Sequence, residues 1–248
     1  MGLLRTNAVA PKTLAFLTET VYHIATKKAR VSKNKKLREI SPRFVQLGKK
    51  NGAAQEDETV IYHSTRSHAF TADSAQAVLN GLAPDGGLYW PEKMPEFDAA
   101  ACLAGDTYSM AEKILTALLP EIPNMGDLVR RAYSGKFQTE DLTPTVQAGP
   151  FTVLELFRGP TSAFKDVALC MLPQLLTAAK TEKGITEDIR ILTATSGDTG
   201  KAALSGFQDV PGVKICVFYP HGGVSQVQRA QMVTQEGSNA GPWKAEPS

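Results

Sequence analysis

Phe-Arg-Gly-Pro-Thr-Ser-Ala-Phe-Lys-Asp, residues 157–166, joins a segment typical of a strand to a segment typical of a helix. The run Phe151–Leu156 before it is short, apolar and partly β-branched, which predicts a strand. The run Val167–Ala179 after it carries little polarity, which predicts a buried helix. Because a Gly-Pro pair supplies the turn between them, Lys165 is expected at a strand-to-helix junction.

Lys165 admits two interpretations, one chemical and one structural. Lysine is rarely fully buried unless a partner compensates its charge, and an ammonium beside an apolar helix is costly. A neutral amine in such a place can attack a carbonyl carbon and form a Schiff base. The structural alternative is a lysine that extends its charged head into water from the start of a helix. This stretch alone favours the structural alternative.

A second stretch has the pattern of a strand, a Gly-rich turn and a helix. The apolar run Ile189–Thr195 predicts the strand. Ser-Gly-Asp-Thr-Gly at 196–200 follows it and leads into a small-residue helix from Lys201 to about Phe207. This geometry presents backbone N–H groups to an anion.

A third apolar run, Val213–Tyr219, predicts another strand, and Val224–Gln235 after it predicts a polar helix. Strands that alternate with helices indicate parallel βαβ units, in which ligands bind at the carboxyl ends of the strands. Lys165 and the 196–200 turn both follow such strand ends. The predicted fold is α/β, a helical amino-terminal module followed by a partial, doubly wound parallel sheet. Its three parallel strands are expected at 151–156, 189–195 and 213–219.

The amino-terminal module is predicted to begin with a short strand at Val60–Tyr62 and to contain three helices. They are expected at Asp73–Asn80, Ile114–Leu119 and Asp127–Tyr133. Their expected N-terminal caps are Thr71, a capping box of Ser109 with Glu112, and Asn124. Gly81 and Gly135 are expected to end the first and third helices.

Four motifs resemble those of threonine synthases, a family of fold-type-II pyridoxal-phosphate enzymes. In chain order they are Tyr62–Arg66 with Leu82–Pro91, Gly159–Asp166, Thr193–Gly200, and Tyr219-Pro220 with Val224–Met232. The resemblance covers about residues 58–238. It implies the conversion of O-phosphohomoserine and water to threonine and phosphate, the last step of threonine biosynthesis.

The resemblance also implies a role for individual residues. Lys165 matches the lysine that carries pyridoxal phosphate, with Phe164 and Asp198 beside the cofactor. Asp198 stands where related enzymes of this fold type usually have Asn. The residues that match the site of the substrate's α-carboxylate are Ser196, Gly197, Thr199 and Gly200. Ser225, Gln228 and Arg229 could hold the leaving phosphate, although an ordinary solvated helix face explains them equally well.

The first 57 residues are predicted to be a basic extension outside the family. Residues 1–50 contain twelve Lys and Arg against Glu19 and Glu39, while the whole chain has a net charge of only +2. A nucleic-acid arm, a membrane-surface arm and a transit peptide share this charge pattern. The predicted division is an extension at 1–57, a threonine synthase amino-terminal module at 58–148 and a partial cofactor domain at 149–248. No nucleic-acid or membrane partner is predicted.

The end of the chain departs from the family pattern. The family continues beyond Gly237 into a part that carries the cofactor-phosphate loop, whereas residues 241–248 show neither a strand nor a helix pattern. The chain is therefore expected to be truncated and, alone, to bind the cofactor only weakly. The alternative function is a noncatalytic fragment that acts only as a folding or partner-binding unit.

The cysteines and histidines indicate neither disulfides nor a metal. Cys102, Cys170 and Cys216 are odd in number and far apart, which is typical of reduced thiols in a cytoplasmic protein. The four histidines lack the spacing of metal ligands. We predict no bound metal and a cytoplasmic location, and the oligomeric state stays open.

Overall fold

The computed structural model describes residues 60–195, 197–220 and 222–245. The predicted extension at 1–57 lies outside the described residues. The amino-terminal elements are β1 (Tyr62–Ser64), β2 (Thr71–Ala72), α1 (Ser74–Asn80), β3 (Tyr89–Pro91), α2 (Ala99–Ala104), α3 (Thr107–Leu118) and α4 (Met125–Tyr133). They are followed by β4 (Thr145–Ala148), β5 (Phe151–Leu154), α5 (Asp166–Glu182), β6 (Ile189–Ala194), α6 (Asp198–Phe207), β7 (Val213–Pro220), α7 (Gln226–Val233) and β8 (Ala240–Ala245).

Aspartates begin the first three helices of the amino-terminal module. The carboxylates of Asp73, Asp98 and Asp106 each accept a hydrogen bond from a backbone N–H group in the first turn of α1, α2 and α3. The predicted cap at Thr71 is wrong, because Thr71 lies in β2 and pairs with His63 of β1. The predicted capping box at Ser109 is also wrong, because α3 begins two residues earlier.

Two other predicted helix ends in this module, at Asn124 and Gly81, agree with the structure in position. Asn124 does precede α4, but it has a left-handed backbone with φ 56° and makes no side-chain cap bond. Gly81 ends α1 as predicted, at φ 68°, a conformation that glycine adopts at little cost.

The strand β1 lies between β2 and β3 in a small antiparallel sheet. This sheet brings the stretches 62–66 and 82–91 together. The hydroxyl of Ser64 donates to the Asp85 carboxylate at 2.7 Å, and the Gly87 N–H donates to the same group at 2.9 Å. A Cβ atom at Gly87 would overlap the Ser64 hydroxyl. We call Ser64, Asp85 and Gly87 the module cluster; it fixes the loop between α1 and β3.

Helix α5 is the centre of the core and joins the module to the sheet. Most of its residues are buried, as its low polarity predicts. On the module side, the Tyr133 hydroxyl donates to the Val167 carbonyl at 2.8 Å. On the sheet side, α6 approaches so closely that a Cβ atom at Gly206 would overlap the Leu169 carbonyl. Helix α5 thus packs against both the module and α6.

The main sheet is parallel, with the order β6-β7-β8. This confirms the α/β class and the parallel pairing of the strands predicted at 189–195 and 213–219. The prediction of a third parallel strand at 151–156 is wrong, because β5 pairs antiparallel with β4 in a separate hairpin. The third strand is β8, so the expectation that the last residues form no strand is also wrong.

Candidate functional site

The amino ends of three helices meet beyond the carboxyl end of the sheet. Lys201, in the first turn of α6, is close enough to Asp166 at the start of α5 for the carboxylate to act on its charge. The side chain of Gln228, in the first turn of α7, donates through Nε2 to Oδ1 of Asp198 at 3.2 Å. Helix amino ends carry partial positive charge and free N–H groups. The arrangement therefore favours negatively charged ligands.

The loop before α5 is held by the first residue of that helix. The Asp166 side chain is 1% exposed and accepts hydrogen bonds from the N–H group of Thr161 at 2.8 Å and from its hydroxyl. A Cβ atom at Gly159 would lie 2.5 Å from both Cβ and Oδ2 of Asp166. We call Gly159, Thr161 and Asp166 the lysine-loop cluster. It fixes the backbone on both sides of Lys165.

Lys165 lies directly before α5, as the sequence predicts. Its side chain is half-buried, and Nζ lies 4.4 Å from the centre of the Phe164 ring, a contact that stabilises a cation. Within the described part of the chain, Lys165 forms no ion pair with a carboxylate. Phe164, and not a carboxylate, is therefore the partner of this amine among the described residues.

The turn before α6 uses some of its donors internally. Ser196 lies outside the described residues. The N–H group of Gly200 donates to the Gly197 carbonyl at 3.0 Å, and the Gly197 N–H donates to the Thr195 hydroxyl at 3.3 Å. A Cβ atom at Gly200 would lie 2.5 Å from Thr195 Cγ2 and 2.9 Å from Val217 Cγ1. Gly200 thus has a packing role, which lets α6 lie against β7.

Thr199 and the residues around α7 complete the set predicted from the sequence. Thr199 is half-buried in the first turn of α6. Ser225 and Gln228 form a reciprocal capping box, in which each side chain accepts a hydrogen bond from the other residue's N–H group. The Arg229 side chain is exposed in the same turn. Gln228 is brought to Asp198, but Ser225 has a structural role of its own as a cap.

Thr161, Asp166 and Lys201 are the site residues that the sequence reasoning missed. Burial lowers the pKa of the Lys201 amine, against the opposing effect of the Asp166 carboxylate. The Lys201 amine also donates to the Gln235 side chain, two residues beyond the end of α7, which links α6 to the segment after α7. No sequence signal marks Lys201, whereas the Thr-x-x-x-x-Asp spacing after a Gly-Pro turn could have indicated the lysine-loop cluster.

Two properties of the described residues bear on other classes of site. No group of His, Cys, Asp or Glu in the described ranges is arranged to hold a metal ion. None of the helices described in residues 60–245 has both the length and the apolar character needed to cross a membrane. The three cysteines are free, with Cys102 and Cys170 buried and Cys216 half-buried.

Comparison with known proteins confirms the resemblance read from the motifs. Residues 61–133 match the family described as threonine synthase N terminus. The threonine synthase of Saccharomyces cerevisiae is 37% identical over 199 residues, which cover 72% of this chain and 38% of that protein. Threonine synthase-like 1 of Homo sapiens is 35% identical over 210 residues, covering 75% of this chain and 28% of that protein.

Solved structures give the same result for the fold. The pyridoxal-phosphate-bound threonine synthase from Brucella melitensis superposes with a TM-score of 0.68 at 39% identity, over 77% of this chain and 42% of that one. The threonine synthase from Escherichia coli superposes with a TM-score of 0.63 at 33% identity, over 75% of this chain and 42% of that one. The chain is thus similar to the amino-terminal part of threonine synthases and spans about two fifths of their length.

Proposed function

We propose that this chain, similar to the amino-terminal part of threonine synthases, supplies the lysine side of a pyridoxal-phosphate site that makes threonine. The substrate would be O-phosphohomoserine and the products threonine and phosphate. The observation that carries the proposal is the position of Lys165: a half-buried amine without a carboxylate partner in the described residues, at the meeting point of three helix amino ends.

The residues of the site fit the cofactor and the substrate. A cofactor with an aldehyde group needs an accessible amine, which Lys165 provides. The substrate and the cofactor both carry anionic groups, which the helix amino ends of α6 and α7 would attract. A carboxylate bound at the 196–200 turn would have to replace the internal bonds made by the Gly197 and Gly200 N–H groups.

The chain's own residues divide the work of the proposed reaction. When bound, pyridoxal phosphate would supply an electron sink for charge at the substrate's α carbon. Lys165 would hold the cofactor covalently and, once released by the substrate amine, would move protons at the substrate carbons. Phe164 and Asp198 would flank the cofactor. Asp166 would act as a positioning residue, because it holds the loop that presents Lys165.

Covalent capture tests the assignment of Lys165. We expect pyridoxal phosphate and sodium borohydride to label Lys165 of the 248-residue protein when the carboxyl-terminal part of yeast threonine synthase is present, as mapped by mass spectrometry of peptides. Lys165→Arg keeps the charge but cannot form the bond, so it should remove this label. Lys201→Arg is the matched control and should leave it in place. A label that persists at equal stoichiometry in Lys165→Arg would refute the assignment.

Phosphate release tests the reaction itself and separates it from the noncatalytic alternative. The assay measures phosphate released from O-phosphohomoserine with added pyridoxal phosphate, by the chain alone and together with the carboxyl-terminal part of yeast threonine synthase. Release that disappears in Lys165→Ala supports the proposal. No release in either arm supports the noncatalytic alternative. A cytoplasmic location remains a prediction.

A further inference from the structure

An exposed segment of mixed apolar and acidic character lies beside the residue at which the description of the fold begins. The segment is residues 92–98, Glu-Lys-Met-Pro-Glu-Phe-Asp, between β3 and α2. The Glu92 N–H donates to the Ile61 carbonyl at 2.8 Å, which continues the antiparallel pairing of β1 with β3. We call residues 92–98 the acidic strip. The polypeptide that precedes Val60 therefore joins the fold next to this strip.

The acidic strip exposes large apolar side chains. Met94 is 49% exposed and Phe97 is 44% exposed. Ile61, which accepts the hydrogen bond from Glu92, is 49% exposed. Single exposed apolar residues are common on protein surfaces, whereas a group of them is typical of an interaction site. The strip and Ile61 therefore offer apolar area to a partner.

The charge of the strip favours a basic partner. Glu92, Glu96 and Asp98 are exposed, and three acids against the single lysine, Lys93, give the strip a net negative charge. Asp98 accepts hydrogen bonds from two backbone N–H groups of α2. Neither Glu92 nor Glu96 forms an ion pair within the ranges that the structure describes. Opposite charges across a contact steer association and fix its register.

The amino-terminal segment of the same chain has the complementary chemistry. Residues 1–50 contain twelve Lys and Arg against two Glu. Four of its apolar residues recur at the spacing of one helical face: Leu14, Leu17, Val21 and Ile24. Lys27 and Lys28 follow this apolar stripe. Because residues 29–59 join the stripe covalently to the fold beside the strip, its effective concentration there is on the order of millimolar.

We propose that residues 14–28 dock on the acidic strip of their own chain. The apolar stripe lies on Met94 and Phe97, and the two lysines that follow it pair with Glu92 and Glu96. The apolar contact contributes more to docking than the ion pairs do, because exposed ion pairs are weak. The contact involves no residue of the proposed cofactor site, so it is independent of the proposed function.

Cross-linking with a carbodiimide tests the contact, because this reagent joins a lysine amine to a carboxylate only where the two groups touch. The purified 248-residue protein is treated at low ionic strength, and the cross-linked peptides are quantified by mass spectrometry. We expect Lys27 and Lys28 to be joined to Glu92 or Glu96 in preference to Glu140, an exposed glutamate beyond α4.

Two variants remove the apolar contact, one from each side. Phe97→Asn should lower the docking equilibrium constant about tenfold, because it removes a large apolar side chain from the contact, and the yield of these cross-links should fall with it. Leu17→Asn makes the equivalent change in the segment, which separates loss of docking from damage to the module. Phe151→Asn is the matched control: Phe151 is 70% exposed on β5, away from the strip, and its replacement should leave the yield unchanged.

Three outcomes would overturn the proposal. The first is equal cross-linking of the two lysines to Glu96 and to Glu140, or a yield that Phe97→Asn and Leu17→Asn both leave unchanged. The second is a cross-link that forms only between copies, as a mixture of unlabelled and nitrogen-15-labelled protein would show, which would assign the segment to a second copy. The third is a segment that forms none of these cross-links but binds duplex DNA, which would assign it to nucleic acid.

Discussion

Two clusters in different halves of the molecule are built from the same parts. Each has an aspartate that accepts from a nearby hydroxyl and a glycine that fits tightly against the cluster; they are the module cluster (Ser64, Asp85, Gly87) and the lysine-loop cluster (Gly159, Thr161, Asp166). Asp166 is fully buried, whereas Asp85 is partly exposed. Water can therefore reach the Asp85 carboxylate but not the Asp166 carboxylate.

The same kind of hydrogen-bonded cluster should have different consequences for stability when its aspartate is buried and when its aspartate is partly exposed. A buried carboxylate depends on its protein donors, whereas a partly exposed carboxylate can also accept hydrogen bonds from water. The lysine-loop cluster should therefore dominate both the stability of the second half and the position of Lys165. The module cluster should fix the loop between α1 and β3 and contribute less to the free energy of unfolding. Substitutions made in pairs, one in each cluster, can test this difference.

Asp166→Ala should have the largest effect. It leaves the Thr161 N–H and hydroxyl without their acceptor, and each bond to a carboxylate is worth about 1.5–3 kcal/mol. We expect the free energy of unfolding, measured by urea titration, to fall by about 3–5 kcal/mol. Asp166→Asn, which keeps the shape, should lose less. Asp85→Ala is the paired control, and a loss equal to that of Asp166→Ala would contradict the comparison.

Gly159→Ala should have the next largest effect. The new methyl group would meet the Asp166 side chain, which is fixed by burial, so either the loop or the start of α5 must move. Overpacking of this kind costs about 1–3 kcal/mol. Gly87→Ala should cost less, because the atom that it overlaps is the terminal hydroxyl oxygen of Ser64, whereas Gly159→Ala also meets Cβ of Asp166. Urea titration of both variants measures the difference, and a smaller loss in Gly159→Ala would reverse our assignment.

The sequence was sufficient for helix α5 and the parallel pair β6 and β7, because long apolar runs and strand–turn–helix order specify them. It was not sufficient for the partners of the other strands. The run at Phe151 alternates in a way that suits any sheet, and the Ala-Gly-Pro-Phe turn before it pairs it with β4. β8 forms because β7 offers a free ladder, and an edge strand tolerates Pro242.

The site was also only partly predictable. The position of Lys165 follows from its place before a buried helix. The Ser-x-x-Gln pattern at Ser225 is a recognisable capping box, yet the resemblance assigned both residues to phosphate. Lys201 had no signal, because its environment depends on how closely α6 packs on α5. Local patterns specify elements, but contacts between elements decide which polar groups are already in use.

The smallest expected effect is the pH dependence of the module cluster. Desolvation alone would raise the pKa of Asp85, but the Gly87 N–H, the Ser64 hydroxyl and the Arg66 charge hold it below its usual range. A lowered pKa means that the stabilisation is present above the unfolded value of about 3.9 and is lost as pH falls through the folded value. Asp85→Asn removes this titration.

We therefore expect the melting temperature of the unchanged chain to exceed that of Asp85→Asn at pH 7 and the gap to narrow as pH falls below about 4. Other aspartates with lowered pKa values, such as Asp188 and Asp209, are common to both proteins. Because they lie in other elements, their contributions cancel in the difference. A gap that stays constant from pH 7 to pH 3 would mean that Asp85 acts through its shape alone. The two clusters would then differ in packing and not in charge.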